Sequence, residues 1–459
     1  MKILLVKLSD KLFYKKAKVK GAVPSAPSLT IATLAAALKD HHVEAFDFNL
    51  YDDNQFIKKI NEFKPDVVGI TFVTTPFYDE MNRVAKIVKN FNKNTLLISG
   101  GPHVTCFPED CLDYIDIAVV GEGDFTLPDA LNNLNDLEKV NGIVFKVKNK
   151  IIKTKPRKYT EDLNTLPIPD WSIFDLKMYK CNKILAKKNP VGWIETSRGC
   201  VYGCIYCNKN IFGRTFRTKS PERVVDEIES MLNMGFKEIH IADDGFTTDM
   251  ERSEKICDMI IERGLKFYWA TVTGIRADKV NETLLEKMKK AGCYRVYFGF
   301  ESGNQKILDR IRKGVTLKQY EDAVKLSKKA GLEVYGFFMI GLPDETEETM
   351  KDTIEFAKKL DLDAAKMSIM IPLPGTPIYS ELNEKGLIKT KKWSQFNFYS
   401  PPKDVFDHPN LGWDIIEKYY NRFYKEFYFR PKFITKRLIR SLINRSLLTD
   451  IKTFLNTEW

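Results

Sequence analysis

The chain opens on a short apolar run, "KILLVKL" (residues 2–8), and four more runs like it follow within residues 1–135. They are "VEAFDFN" (43–49), "DVVGITF" (66–72), "TLLISGG" (95–101) and "IAVVGEG" (117–123), all rich in β-branched or aromatic residues. Amphipathic stretches such as "SLTIATLAAALKD" and "YDEMNRVAKIVKNF" separate them. Strands alternating with helices predict βαβ units and a parallel sheet. Nearly continuous apolar runs predict a sheet covered on both faces, so the expected fold is α/β, with a doubly wound, flavodoxin-like first domain. A ligand of such a sheet sits at the C-terminal ends of its strands.

Residues 136–190 are less regular, and the Pro-punctuated "TEDLNTLPIPDW" (160–171) predicts a linker. From "VGWIETSRG" (191–199) the alternation resumes, with strand candidates "GWIETS", "EIHIADD", "FYWATVT", "RVYFGFESG", "VYGFFMIG" and "AKMSIMIPLP". Helical stretches such as "SPERVVDEIESMLNMG" separate these. Such a series predicts a full or partial (β/α) barrel with its chemistry at the C-terminal strand ends. The tail from about 413 reads as helical. The expected organisation is a first domain over 1–140, a linker over 141–189, a barrel over 190–395 and a helical region over 396–459.

Bulk composition narrows the class. Hydrophobic content of 44% and charged content of 29% fit a soluble globular protein, and 459 residues predict two or three domains. No apolar run of about 18 residues is present, so no span is expected. The N-terminus reads as a strand, without the h-region or cleavage site of a signal peptide, so a cytoplasmic location is expected. Eight irregularly spaced cysteines then favour metal binding or catalysis over a disulfide framework. The net charge of +11 has two readings, solvated lysine-rich helix faces or an anionic partner. The tail sharpens the second. Its Arg437, Arg440 and Arg445 suit either a helical cap with a solvated basic face or an interfacial helix on an anionic membrane.

The densest chemistry is "SRGCVYGCIYCNKN" (197–210), where Cys200, Cys204 and Cys207 follow the first barrel strand. Thiolates suit zinc and iron–sulfur clusters. A structural zinc site needs a fourth ligand, and none follows at ribbon spacing. A four-iron cluster on three cysteines leaves one iron open, and Gly199 and Gly203 let the backbone fold closely around it. Cys106, Cys111, Cys181, Cys257 and Cys293 show no second cluster spacing, and Cys257 and Cys293 read as small core residues.

C-x-x-x-C-x-x-C with Tyr206 before the last cysteine resembles the signature of radical S-adenosylmethionine enzymes. The resemblance covers residues 190–385. It implies that S-adenosylmethionine chelates the open iron and is cleaved reductively to a 5′-deoxyadenosyl radical. "HIADDGFTTD" (240–249) is similar to the segment at the cosubstrate amino group, with Asp243 and Asp244 as acceptors, although the family's commoner form is Gly-Gly-Glu. "FGFESGNQKILDRIRKG" (298–314) resembles the fourth-strand segment, where Glu301 and Ser302 would meet ribose or carboxylate. "GFFMIGLPDET" (336–346) resembles the fifth, packing adenine through Ile340 and Gly341, and "IPLPGTPIY" (371–379) the sixth-strand loop.

The first domain lacks G-x-G-x-x-G, so a nucleotide is not the expected ligand. "SAPSLTIATLAAAL" (25–38), "SGGPHVT" (99–105) and "VVGEGDFTLPDAL" (120–131) resemble the cobalamin-binding domain of the cobalamin-dependent branch of the same family. That branch also carries Asp-Asp-Gly. The implied contacts are Ser28, Leu29, Gly100, Gly101, Pro102, His103, Gly121, Glu122 and Gly123. Thr74, Thr75 and Pro76 are candidates for the group beneath the cobalt. D-x-H-x-x-G is absent, as in that branch, and "DHHVEA" (40–45) is a near miss whose His41 and His42 read as surface residues. His103 reads as a tail-side contact or turn residue rather than a metal ligand. A domain that binds nothing and serves for docking is the alternative. Methylthiotransferases are set aside, because only Cys106 and Cys111 lie in this domain and they carry three cysteines there.

The reading is thus a cobalamin-dependent radical enzyme with a 4Fe-4S cluster, S-adenosylmethionine and cobalamin as cofactors. The resemblance implies methylation of an unactivated carbon of a small-molecule or lipid substrate, with electrons from a flavodoxin- or ferredoxin-type reductase. Oxidative cyclisation or another non-methylating rearrangement is the first alternative, and a non-catalytic iron–sulfur or cobalamin sensor or carrier the second. No nucleic-acid-binding module is present.

Overall fold

The structure is a computed structural model that describes residues 1–14, 18, 25–71, 74–399, 402–443 and 446–457; Arg445 lies outside them. Its first sheet has seven strands: β1 (Lys2–Lys7), β2 (His42–Asp47), β3 (Val67–Thr71), β4 (Leu96–Gly100), β5 (Ile117–Val119), β6 (Ile143–Val147) and β7 (Lys150–Lys153). Their order is β2-β1-β3-β4-β5-β6-β7, and β1 to β5 are parallel. The pleat divides β1 between two cores. Leu4 and Val6 pack with Phe56, Ile60 and Met81 on one face, and Ile3 and Leu5 with Ile31, Ala35 and Leu127 on the other. The chain winds outward in both directions from β1 and β3, so the switch point lies between them.

The sheet runs past its expected boundary. Residues 143–153, expected in the linker, form the antiparallel hairpin β6–β7 on the edge of β5. Lys148 and Asn149 at its tip have φ of 46° and 66°, as a two-residue type I′ turn demands.

The second sheet holds β8 (Val191–Ile194), β11 (Glu238–Ile241), β12 (Tyr268–Ile275), β13 (Cys293–Glu301), β14 (Glu333–Ile340) and β15 (Ala364–Ile369), all parallel, in the order β15-β14-β13-β12-β11-β8. Among the described residues β15 and β8 do not pair, so the barrel is partial. A short ribbon, β9 (Ser197–Arg198) with β10 (Arg217–Thr218), follows β8. Ser220, Asp249, Asn281, Thr316 and Thr346 each accept the N–H three residues on, which starts the helix of each unit on a side-chain cap.

An open barrel leaves β15 with an unpaired edge, and the helix Trp413–Tyr428 covers it. Tyr424 Oη accepts from Met367 N (3.3 Å) and donates to Met367 O (3.0 Å). Tyr428 Oη does the same at Ala365, at 3.2 and 2.7 Å. Two phenols thus stand where a seventh strand would bond.

The last helices, Pro431–Ile443 and Leu447–Leu455, correct one expectation. Arg437 and Arg440 do not form a solvated basic face. Arg440 pairs with Asp363 at 2.9 Å, and Arg437 pairs with Asp450. The outward face is apolar, with Ile443 at 76% and Leu448 at 84% exposure. Among the described residues no helix is long and apolar enough to cross a membrane.

Candidate active site

The cysteine loop leaves β9 as an irregular turn held from several sides. Gly199 has φ +81°, and a Cβ there would lie 2.0 Å from Thr215 O, so only glycine fits. Lys209 Nζ donates to Cys200 O (3.1 Å) and Tyr202 O (2.5 Å), and the Arg276 guanidinium lies 3.5 Å over the Tyr202 ring. Ile205 bonds Ile311 O and accepts from Ile378 N, tying the loop to the fourth- and sixth-strand segments. Cys204 is buried, Cys200 half-buried and Cys207 exposed. Among the described residues no three donors converge at the spacing of a single ion. A four-iron cluster does not need that convergence, since each thiolate takes a different iron. Three soft donors on one glycine-hinged loop, with no fourth, fit such a cluster.

The two aspartates predicted to act together are separated by the fold. Asp243 is buried, and its carboxylate accepts from Thr196 N (2.6 Å), Thr196 Oγ1 (2.5 Å) and Ser197 Oγ (2.7 Å). Burial raises its pKa against the pull of these bonds. It holds the end of β8 to the start of β9. Asp244, one residue on, is exposed; its carboxylate accepts from the Gly199 backbone N–H, and partial burial and the neighbouring Asp243 raise its pKa.

Glu301 and Ser302 also part ways. Glu301 has φ +62°, a left-handed backbone that a non-glycine residue adopts only under constraint, at a register shift in β13. Its Oε1 takes Lys313 Nζ at 2.9 Å, and Lys313 Nζ donates to Tyr206 Oη at 3.3 Å. This joins the fourth-strand segment to the cysteine loop. Ser302 is fully buried, its Oγ 3.1 Å from Thr353 Oγ1 on the helix outside the barrel.

Ile340 is core, and Gly341 turns the fifth strand away at φ +76°. Glu345 Oε2 accepts from Gly341 N (2.7 Å) and Leu342 N (2.9 Å), fixing that turn, and burial pushes its carboxyl up to about 8. Tyr297 and Phe337 stack at 5.4 Å in strands β13 and β14. Phe337 pairs in register with Lys366 of β15, whose Nζ donates to Tyr399 Oη at 2.7 Å and which burial lowers to about 8.

At the first sheet, Gly100 ends β4, Gly101 precedes a short helix opened by Pro102 and His103, and Gly121 to Gly123 follow β5. Gly121 has φ +80° and nothing within 4 Å of where a Cβ would stand. Thr74 Oγ1, at the end of β3, is buried without a hydrogen-bond partner among the described residues. Open space over a glycine and an orphaned hydroxyl at the switch-point edge form a cradle that suits a bulky ligand such as cobalamin. Thr75 is buried and Pro76 is in the turn beside it. Ser28 Oγ is used to cap the helix Leu29–Ala37, accepting from Ile31 N at 3.3 Å, while Leu29 packs against the barrel core. His103 is 1% exposed, 5.3 Å from both Tyr78 and Trp393, with Nδ1 3.3 Å from Thr75 Oγ1, and burial lowers it to about 4. It is a neutral packed ring, not a turn residue. His42 begins β2 and is exposed, as expected of a surface residue.

The two sets of C-terminal strand ends meet. Arg198, before Cys200, forks onto Asp124, after β5, with Nη1–Oδ2 at 2.6 Å and Nη2–Oδ1 at 3.0 Å. Its Nε donates to Glu195 at 2.8 Å, and Nη1 lies 3.5 Å from Glu122. Glu122 Oε2 accepts from Thr160 N at 2.9 Å, and Oε1 stands 2.8 Å from Arg217 Nη2, off the hydrogen-bond axis. Glu122, expected at a ligand, spends its carboxylate on this interface. Cys106 adds a contact, its Sγ accepting from Asn208 and Asn210 at 3.2 and 3.3 Å. Cys257 and Cys293 are buried, as expected of core residues. The pairing of Arg198 with Asp124 left no local pattern, because the two are 74 residues apart, while Lys209 and Lys313 lie inside the quoted segments but were not singled out there.

Comparison with known proteins agrees with this arrangement. Residues 194–357 match the Radical SAM superfamily and residues 18–131 the B12 binding domain. The chain is 37% identical over 466 residues to an uncharacterized methyltransferase of Pyrococcus horikoshii, covering 96% of this chain and 98% of that one. It is 30% identical to the anaerobic magnesium-protoporphyrin IX monomethyl ester cyclase of Rubrivivax gelatinosus, over 94% and 79% of the two chains. Among solved structures, the cobalamin-dependent S-adenosylmethionine radical enzyme OxsB, with aqua-cobalamin and S-adenosylmethionine bound, superposes with TM-score 0.73 at 18% identity, over 99% of this chain and 72% of that one. A glycine-lined cradle on one sheet and a three-cysteine loop on the other, meeting in one chain, place it in the cobalamin-binding radical S-adenosylmethionine enzyme family, with a 4Fe-4S cluster, S-adenosylmethionine and cobalamin as cofactors.

Proposed function

We propose that this enzyme methylates an unactivated carbon of a small-molecule or lipid substrate held between the two sets of strand ends. The observation that carries this reading is their meeting at one interface, where Arg198 grips Asp124. When bound, the cluster supplies the electron that cleaves S-adenosylmethionine to a radical, and cobalamin supplies the methyl group. The chain's own residues bind, orient and exclude water. Cys200, Cys204 and Cys207 would hold the cluster. Asp244 receives the cosubstrate ammonium as a charge-assisted acceptor, while Asp243 keeps the strand end that presents it. Glu301, braced by Lys313, would meet the ribose, and the Glu345-fixed turn at Gly341 would pack the adenine. Tyr297 and Phe337, stacked on neighbouring strands β13 and β14, would help keep water from the substrate. A flavodoxin- or ferredoxin-type donor supplies the electrons. The relative in Pyrococcus horikoshii, described as a methyltransferase, supports the reaction type.

The test is made on anaerobically purified, cluster-reconstituted protein with hydroxocobalamin under reducing conditions. About four irons and one cobalt per chain, with both 5′-deoxyadenosine and S-adenosylhomocysteine formed, are expected. 5′-Deoxyadenosine without S-adenosylhomocysteine would exclude methyl transfer and favour cyclisation chemistry.

For the terminal helices we propose contact with an anionic membrane surface. Leu442, Ile443, Leu448 and Leu455 are 59–84% exposed, with the exposed Lys432 and Lys452 on the same helices. The full chain should sediment with phosphatidylglycerol vesicles, and L442E/L448E should stay in the supernatant. Wild-type protein remaining in the supernatant would sink this reading.

A further inference from the structure

The ion group between the two sheets is built for a task that neither cradle needs alone. It buries the side chains of Arg198, Asp124, Glu122 and Arg217 to 5–9% exposure, with Glu195 at 17%. Replacing such a group with apolar residues is often neutral or stabilising, so stability alone does not account for it. What it offers is geometry. A guanidinium fork fixes both the distance and the plane of the carboxylate it grips.

The two ends of the fork lie where geometry matters. Arg198 belongs to β9, and the next residue but one is Cys200. Asp124 directly follows the Gly121–Gly123 stretch. Neither end is slack. Val120 N is bonded to Gly142 O and Gly121 N to Thr105 Oγ1. On the other side, Lys219 N bonds Thr196 O, and Gly199 admits no side chain against Thr215. The Arg198 guanidinium also lies 5.2 Å over Phe212, in the segment between the cysteine loop and β10. A displacement of the glycine stretch is therefore passed to the cysteine loop through a rigid, directional link. The same holds in reverse.

We infer that the Arg198–Asp124 fork couples the two cofactor sites, so that each is bound more tightly when the other is filled. This rests on the cobalamin and cluster assignments above and adds a positioning role for residues that touch neither cofactor. Linkage makes the effect reciprocal, since the cluster must favour cobalamin by the factor with which cobalamin favours the cluster.

The test is a binding titration of the full-length protein with hydroxocobalamin, before and after anaerobic cluster reconstitution, with iron counted in each sample. Wild type should bind hydroxocobalamin at least about fivefold more tightly with the cluster in place. R198K keeps the charge but loses the fork, and R198M/D124L removes both charges of the fork, leaving Glu122 paired with Arg217 and Glu195 without its Arg198 bond. In both variants each site should still fill, while the ratio of the two affinities falls to near one. A ratio unchanged from wild type in R198M/D124L would overturn the proposal, as would a wild-type ratio of one. Failure of wild type to bind hydroxocobalamin in either state would overturn the cobalamin cradle itself, and the coupling with it.

Discussion

Replacing Cys200, Cys204 and Cys207 together by alanine should leave a folded chain that takes up essentially no iron and forms no 5′-deoxyadenosine. The fold should survive because the loop lies outside the sheets and is held by other residues. Lys209 and Arg276 grip its backbone and Tyr202, and Ile205 bonds both flanking segments. The iron should go because the three thiols are the donors proposed to anchor it, and the loop carries no further cysteine or histidine to replace them. Iron counting and circular dichroism on the same sample separate the two effects. A variant that retains about four irons per chain would remove the cysteine loop as the cluster site.

The neighbouring aspartates should respond in opposite ways. D243A deletes a carboxylate that accepts three hydrogen bonds, leaving Thr196 N, Thr196 Oγ1 and Ser197 Oγ without it. It also removes one of the two carboxylates, Asp243 and Asp249, that act on the buried Arg252, whose Nη2 donates to Thr196 O at 2.7 Å. The expected cost is about 3–5 kcal/mol of stability, enough to lower the Tm by several degrees. D244A removes an exposed side chain and the bond it accepts from Gly199 N, and should cost only about 1 kcal/mol of stability. Its S-adenosylmethionine affinity should fall roughly tenfold to a hundredfold, the worth of a charge-assisted hydrogen bond. Thermal melts and titrations on both variants check this. Affinity lost only in D243A would shift the ammonium contact away from Asp244.

Legibility in the sequence followed the range of the forces involved. Strands β1 to β5, β8 and β11 to β15 were readable because the apolar runs that make them are local, and the cysteine loop because three cysteines share eight positions; the polar two-residue strands β9 and β10 carry no such run. The hairpin β6–β7 was missed. Ile143, Val144 and Phe145 of β6 form a short buried apolar run, but the Lys-rich, exposed second half of the hairpin reads as surface linker. Adjacent Asp243 and Asp244 look equivalent in a string, yet the strand end turns one inward and leaves the other out. Ser302 matched a motif, but its side chain faces the outer helix. Arg198 and Asp124 are 74 residues apart, and a pair so distant leaves no local pattern.

The tyrosine-capped edge of β15 bears on how the chain can be divided. Tyr424 and Tyr428 complete backbone hydrogen bonding for a strand more than 50 residues earlier, from a helix that reads as an appendage. Cutting the chain before residue 413 would therefore not free a minimal catalytic core. It would expose a bare strand ready to recruit another chain, so the smallest autonomous unit of this enzyme includes that helix.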